Sequence, residues 1–379
     1  MRENTKLLHG YKVLDTYTGA ASIPIYQTST FHNKHLYDDS QEYLYTRFSN
    51  PTVDALEDGF RSLEDSKYAL SFSSGMAAIS NVLMLLNAGE HVILPKEVYG
   101  GTCQFVNNLL PKYKIESTFV DMADIESVEK AVRENTRMIY LETPSNPLLK
   151  VCDIKKIVAL AKEYDLVTVA DNTFMTSLAQ EPLKLGVDIV VESVTKFING
   201  HSDVIAGLVA TNCETYYQEL KLFQKNFGGI LGVEDAWLIM RGMKTMGIRM
   251  DHAVKNAQKL AEFLQNHPRV KHVYYPGLKD HPNHEVHMGQ SKNGGAVLSF
   301  ELSSKEELIA FTEKIRIPIL AVSLGGVESI LSHPATMSHA CLSPEERLEQ
   351  GVVDGLLRLS CGIENIEDLI EDFKQALES

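Results

Sequence analysis

The 379-residue sequence is poor in cysteine, tryptophan and positive charge, and it lacks long apolar runs. Its five cysteines, Cys103, Cys152, Cys213, Cys341 and Cys361, form an odd, scattered set with no Cys-x-x-Cys pair. That excludes a disulfide framework or a structural zinc site as the organising device, and no metal is expected. Unpaired cysteines of this kind fit a reducing compartment, so a cytoplasmic protein is expected. Thirty-six basic side chains against fifty acidic ones leave a net charge of −14. Such a balance argues against nucleic-acid or anionic-membrane partners. No apolar run reaches transmembrane length. The start, Met1-Arg2-Glu3-Asn4-Thr5-Lys6, has no signal-peptide core. What is present is a 44% hydrophobic chain, long enough for two or three domains, without internal repeats or low-complexity stretches.

The most informative stretch is Ser193-Val194-Thr195-Lys196-Phe197-Ile198-Asn199-Gly200-His201, directly after the apolar run Ile189-Val190-Val191. A lysine amine forms a Schiff base with an aldehyde, and pyridoxal phosphate (PLP) is the aldehyde most enzymes use this way. Ser193 and Thr195 stand where they can donate to its phosphate. A solvent-exposed loop lysine is the plain alternative, and three further segments weigh against it.

Leu166-Val167-Thr168-Val169-Ala170-Asp171-Asn172-Thr173 reads as a buried β-branched strand ending in an acid, 25 residues before Lys196. Parallel sheets bind ligands at the carboxyl ends of their strands. PLP needs a carboxylate facing its pyridine nitrogen, because the protonated ring accepts electrons better. The plain alternative for Asp171 is a helix N-cap. Tyr68 to Ile79 reads as a strand, a Ser-Ser-Gly turn and a helix, whose first N–H groups at Gly75 and Met76 could hold phosphate. In Val98-Tyr99-Gly100-Gly101-Thr102, after Val92-Ile93-Leu94, Tyr99 could stack on the cofactor ring; a tyrosine beside a glycine turn is otherwise ordinary.

Apolar runs at Ala69–Phe72, Val92–Leu94, Met138–Leu141, Val167–Ala170 and Ile189–Val191 alternate with helical patterns. The alternation predicts an α/β class with a mostly parallel, helix-covered sheet. Residues 1–55 show no strong helical period and read as an N-terminal arm. Residues 56–240 read as the cofactor-binding domain. Residues 241–379 read as a smaller α+β domain, with a helix over Arg249–Asn266, a strand over Gly294–Glu301 and a last helix over Ile366–Leu377.

Taken together, these motifs resemble the Cys/Met-metabolism family of PLP enzymes, which contains cystathionine γ-synthases, cystathionine β- and γ-lyases, methionine γ-lyases and homoserine sulfhydrylases. The likeness runs from Pro24-Ile25-Tyr26-Gln27-Thr28-Ser29-Thr30-Phe31 to Arg358-Leu359-Ser360-Cys361-Gly362-Ile363-Glu364. It implies an aspartate-aminotransferase-like fold of type I. It implies Lys196 as the Schiff-base lysine and proton carrier, Asp171 as partner of the pyridinium, and Tyr99 as the stacking residue that helps activate the substrate amine. Gly75, Met76, Thr173, Ser193 and Thr195 would complete the cofactor's binding site. Tyr45 and Arg47, in Tyr45-Thr46-Arg47-Phe48-Ser49-Asn50-Pro51, would bind the phosphate of a neighbouring subunit, in a homotetramer built from dimers with shared sites. Arg358 would clamp the substrate carboxylate, since a guanidinium fork fits a carboxylate better than an ammonium does. Asn146, Ser323 and Glu328 would also meet substrate. A surface ion pair is the plain alternative for Arg47 and Arg358.

The reaction branch is less marked. Methionine γ-lyases usually carry a cysteine after the Tyr-Gly pair, where this chain has Gly101, and Cys103 is not treated as its equivalent. Glu328 matches an acid of cystathionine-processing members that could meet a distal amine; an ordinary exposed carboxylate is the alternative. Those members often hold an arginine after Tyr-Gly-Gly-Thr, where this chain has Cys103-Gln104-Phe105, so Gln104 offers no charge to a distal carboxylate. His333 and His339 read as structural or rim residues. The resulting expectation is a PLP-dependent carbon–sulfur lyase that cleaves cystathionine by γ-elimination to 2-oxobutyrate, cysteine and ammonia, with side activity on homocysteine or cysteine. Cystathionine β-lyase, methionine γ-lyase and cystathionine γ-synthase stay open, as does an aminotransferase. A PLP-binding regulatory protein would need a DNA-binding segment or basic patch, and neither is seen.

Overall fold

The computed structural model describes residues 1–12, 14–36, 40–338, 340 and 343–378. His339 and Cys341 lie outside the described residues. A seven-stranded sheet is built from β1 (Tyr68–Phe72), β2 (His91–Pro95), β3 (Glu116–Val120), β4 (Thr136–Glu142), β5 (Val167–Asp171), β6 (Ile189–Ser193) and β7 (Gly207–Thr211). Its order is β1-β7-β6-β5-β4-β2-β3. Strands β2 to β6 pair in parallel, while β7 runs antiparallel to both β6 and β1. The five strands expected from apolar runs are all present. The antiparallel β7 was not anticipated, because Gly207-Leu208-Val209-Ala210-Thr211 carries the same buried pattern whichever way it runs.

A second sheet comprises β8 (Val270–Tyr274), β9 (Val297–Leu302), β10 (Ile319–Leu320), β11 (Ile330–Ser332) and β12 (Leu356–Ser360), in the order β10-β11-β12-β9-β8. Its pairs are antiparallel except β10 with β11. Phe300, Phe311 and Phe373 form a fully buried aromatic cluster between this sheet and its helices, with ring centroids 5.6–6.0 Å apart.

Local chemistry sets the helix ends. Asn50 caps the helix Pro51–Glu64 by accepting from Thr52 N at 2.9 Å, Pro51 opens its first turn, and Asp65 closes it at φ 53°. Ser74 caps the helix Gly75–Leu83, accepting from Ala77 N at 3.0 Å. The long helix Met246–Gln265 joins the two sheets. Its first half buries Met246, Met250 and Ala253 with the large sheet's core, and its second half buries Leu260, Ala261 and Leu264 with the small one.

Residues 1–55 are not free of helix, as their weak periodicity had implied. Glu3–His9 is helical and buries Leu7, and the helix from Pro51 crosses residue 55. Seven residues give too few turns for a period to show. Residue 240 falls inside the helix Val233–Met243.

Candidate active site

The carboxyl ends of β4, β5 and β6 gather the groups singled out from the sequence. Asp171 ends β5, beside Glu142 at the end of β4 and Val191 in β6. Asp171 is 8% exposed. Its Oδ1 accepts from Thr173 N (3.1 Å) and Thr173 Oγ1 (2.6 Å), and its Oδ2 accepts from Tyr140 Oη (3.2 Å). Burial pushes this carboxyl upward in pKa, against the pull of the three donors. No lysine, arginine or histidine pairs with it among the described residues. A buried acid lacking a cation is a fitting partner for a protonated pyridine nitrogen.

Thr173 Oγ1 also accepts from Ser193 N at 2.9 Å, which ties β5's end to β6's. Ser193 faces the helix start at Gly75. A Cβ at residue 75 would stand 2.9 Å from Ser193 Cβ and 3.0 Å from its Oγ, so only glycine lets the two approach. The N–H groups of the first helical turn open toward this point, a geometry suited to phosphate. Thr195 Oγ1 is engaged with Ala206, accepting from its N–H at 3.0 Å.

Lys196 follows at once. Its Nζ donates to Ser323 Oγ at 2.6 Å. Burial, with Arg358 nearby adding repulsion, lowers its pKa to about 8. Gly325 fixes the loop that brings Ser323 in: it sits at φ 81°, and a Cβ there would meet Phe197 N at 2.6 Å and Lys196 C at 2.8 Å.

Arg358, on β12, is 4% exposed. Its Nη1 donates to Asn146 Oδ1 at 2.8 Å and its Nη2 to Ser323 O at 2.6 Å, while its Nε has no partner among the described residues. Burial lowers its pKa to about 10, still cationic at neutral pH. Tyr99 precedes the helix Gly100–Asn108 and donates its backbone N–H to Glu142 Oε2 at 2.9 Å. Its ring, 43% exposed, packs where a Gly101 side chain would lie: a Cβ there would be 2.6 Å from Tyr99 Cε1 and 2.8 Å from Met76 Sδ. Burial and the carboxyls of Glu142 and Asp171 raise the Tyr99 phenol, which stays protonated.

The buried polar ends thus bring together Gly75, Met76, Tyr99, Asn146, Asp171, Thr173, Ser193, Lys196, Ser323 and Arg358. Tyr45 and Arg47 are elsewhere. Arg47 lies 5.6 Å from the Tyr45 ring and 5.1 Å from Phe48, and its Nη1 donates to Lys225 O at 2.9 Å. The two line a separate cleft with Thr28, Ile230 and Gly232. Glu328 is half-buried and accepts from Ser202 Oγ, with no bond to Lys196 or Arg358. Gln104 is exposed on its helix. His333 bonds Thr336 Oγ1 (2.9 Å) and Asp354 O (3.0 Å), a structural arrangement. Tyr140 and Glu142 were missed as site residues. Tyr140 gave one signal, a polar tip inside the apolar run of β4.

Residues 4–378 match the model of the Cys/Met metabolism PLP-dependent enzyme family, and the chain belongs to that family. It is 52% identical to a cystathionine beta-lyase of Bacillus subtilis, over 98% of this chain and 95% of that protein. It is 48% identical to a cystathionine gamma-lyase of the same organism, over 100% of both. The crystal structure of cystathionine gamma-lyase from Lactobacillus plantarum, complexed with L-serine, superposes with a TM-score of 0.97 at 40% identity, covering 100% of this chain and 99% of that one. The chain is therefore a PLP-dependent lyase of cysteine and methionine metabolism, with the α/β architecture of these relatives.

Proposed function

We propose that this lyase cleaves a carbon–sulfur bond of L-cystathionine, by γ-elimination to 2-oxobutyrate, cysteine and ammonia. The observation that carries the reading is the Lys196–Ser323–Arg358 chain of bonds. It couples a near-neutral amine to a buried guanidinium at one point beside Asp171. PLP, when bound, supplies the sink for negative charge at the substrate α-carbon. The fit of the site to PLP rests on the glycine-tight cradle at Gly75, the helix N-terminus beside Ser193 and the uncompensated Asp171.

In this reading Asp171 stays anionic against the ring nitrogen, and Thr173 and Tyr140 hold it in place. The N–H groups of Gly75 and Met76, with Ser193, hold the phosphate. Tyr99 flanks the ring. Arg358, whose Nε has no partner among the described residues and whose Nη1 meets Asn146, binds the substrate carboxylate as a fork. Lys196 Nζ removes the α-proton and, for γ-elimination, a second proton from the β-carbon; a pKa of about 8 lets it both take and return protons near neutrality. Ser323 Oγ orients it. Residues 1–55 act as an arm whose Tyr45 and Arg47 complete a partner's phosphate site, which agrees with their lining a cleft that holds neither Lys196 nor Asp171. Residues 56–240 carry the cofactor site and 241–379 supply Arg358.

A second reading, β-elimination to pyruvate, homocysteine and ammonia, is favoured by the 52% identical cystathionine beta-lyase. The test is to incubate the PLP-loaded protein with L-cystathionine and identify the 2-oxo acid. 2-Oxobutyrate with cysteine supports γ-elimination. Pyruvate with homocysteine replaces it with the second reading. Turnover that requires an added 2-oxo acid and frees no thiol means an aminotransferase instead.

A further inference from the structure

The turn that follows Lys196 is gripped by Arg249, a buried cation that the chemistry above does not use. Arg249 stands in the first turn of the helix Met246–Gln265 and is 7% exposed. Its Nη1 donates to Phe197 O at 2.9 Å, and its Nη2 donates to Ile198 O at 3.2 Å and Gly242 O at 2.9 Å. Its Nε donates to Thr245 Oγ1 at 3.2 Å. Every bond ends on a neutral oxygen. Burial lowers the guanidinium to about 10, so it stays charged at neutral pH, and no carboxylate pairs with it among the described residues.

This is a costly way to fill a core. A buried charge without a counter-ion loses its hydration, and the amino end of its own helix opposes a cation. Gly242 O offsets part of that, because it lies in the last turn of the helix Val233–Met243, whose carbonyl end favours positive charge. The remaining bonds go to the lysine's own turn. There Val194 O accepts from Asn199 N at 3.0 Å and Lys196 O from Gly200 N at 2.8 Å. The carbonyls of Phe197 and Ile198 are left over, and among the described residues Arg249 alone donates to them. An apolar side chain at position 249 would leave both unsatisfied in the interior. A lysine has a single ammonium head and cannot reproduce the planar fork that reaches three carbonyls.

The surrounding backbone is shaped to admit the fork. Gly200 has φ 73°, and a Cβ there would stand 1.8 Å from Arg249 Nη1. A Cβ at Gly242 would stand 2.4 Å from Asn199 O, so the helix end sits directly on the turn. Arg249 does not figure among the causes that lower the Lys196 amine, which are burial and Arg358. It therefore bears on where the amine stands and not on its charge.

We propose that Arg249 is a positioning residue: by holding the Phe197 and Ile198 carbonyls against the helix end at Gly242, it aims Lys196 at the cofactor's aldehyde. The proposal rests on the PLP reading of the site. Capture joins the lysine amine to the aldehyde carbon with loss of water, so its rate depends on how the amine is placed.

The test compares parent and Arg249→Lys, both free of cofactor, with two ligands. PLP can condense with Lys196. Pyridoxine 5′-phosphate has the same ring and phosphate but a hydroxymethyl group in place of the aldehyde, so it fills the cradle without condensing. Amide hydrogen exchange over residues 194–200 is read in the same two proteins. In the variant, PLP capture, followed by the visible absorbance of the lysine-bound cofactor, is expected to slow about tenfold. The dissociation constant for pyridoxine 5′-phosphate should stay at the parent value, and amides 194–200 should exchange faster. Capture at the parent rate would overturn the proposal. Equal weakening of both ligands would also overturn it, since Arg249 would then support the whole site and not the lysine. A parent that captures no PLP, with faster exchange over 194–200 in the variant, would sink the cofactor reading and leave the clamp on the turn intact; unchanged exchange there overturns the clamp in either case. Should Arg249→Lys fail to fold, Thr245→Val frees only Nε, and the same criteria apply with an expected slowing of about threefold.

Discussion

Lys196 Nζ donates to Ser323 Oγ at 2.6 Å, and the carbonyl of the same serine takes a bond from Arg358 Nη2 at 2.6 Å. Ser323 holds φ 87°, outside the range that most side chains favour. One residue under backbone constraint thus sets the spacing between the proton carrier and the substrate's carboxylate clamp. Ser323→Ala keeps the carbonyl and removes the hydroxyl. It is expected to lower kcat about tenfold, ~1.4 kcal/mol, while KM moves little. Steady-state kinetics check this; a change in KM alone would assign Ser323 to substrate binding instead.

The Lys196 amine is displaced downward to about 8, first by burial and then by Arg358. Its neutral, nucleophilic form therefore accumulates as pH rises through about 8, where an exposed lysine would remain charged. The rate at which the cofactor-free protein captures PLP should rise between pH 7 and 9 and then level off. Arg358→Met removes the repelling charge and should move that midpoint upward. The linkage sign is that of a lowered lysine: folding releases the proton, so stability gains as pH rises from the folded value toward the unfolded one.

Arg358 makes two charge-assisted bonds, and its Nε has no partner among the described residues. A lysine at this place reaches one partner and leaves Asn146 or Ser323 unsatisfied. Arg358→Lys is expected to cost about a hundredfold in kcat/KM, mostly in KM, without loss of bound PLP. Equal loss of PLP would show that the residue serves the cofactor.

Gly101 leaves room for the Tyr99 ring. A Cβ there would meet Tyr99 Cε1 at 2.6 Å and Met76 Sδ at 2.8 Å. Gly101→Cys should swing the ring and shift preference from cystathionine toward methionine, measured as the ratio of kcat/KM for the two. An unchanged ratio removes this position from substrate selection.

If Tyr45 and Arg47 complete a partner's site, neither Arg47→Ala nor Lys196→Ala protein turns over alone at the parent rate. Chains of the two variants, mixed and reassociated, then regain activity, because one site in each mixed dimer has both residues intact. No recovery in the mixture contradicts the shared site.

Much of the large sheet was legible because five of its strands contain runs of three or four mostly apolar residues, and Asp171, Tyr99 and Lys196 come within five residues of such runs. Period and composition mark burial, not direction, so the antiparallel β7 did not show. Strands β10 and β11 are two and three residues long, too short to carry a pattern. Ser323's role depends on a positive φ and on Gly325 packing against Lys196, which no spacing reveals.

The account stands most directly on which lysine holds the cofactor. Borohydride reduction of the PLP-loaded protein, followed by peptide mass mapping, reads this in one step. The account predicts the added pyridoxyl mass on the peptide containing Lys196 and on no other lysine; the tag on a different lysine, or its absence, would contradict it.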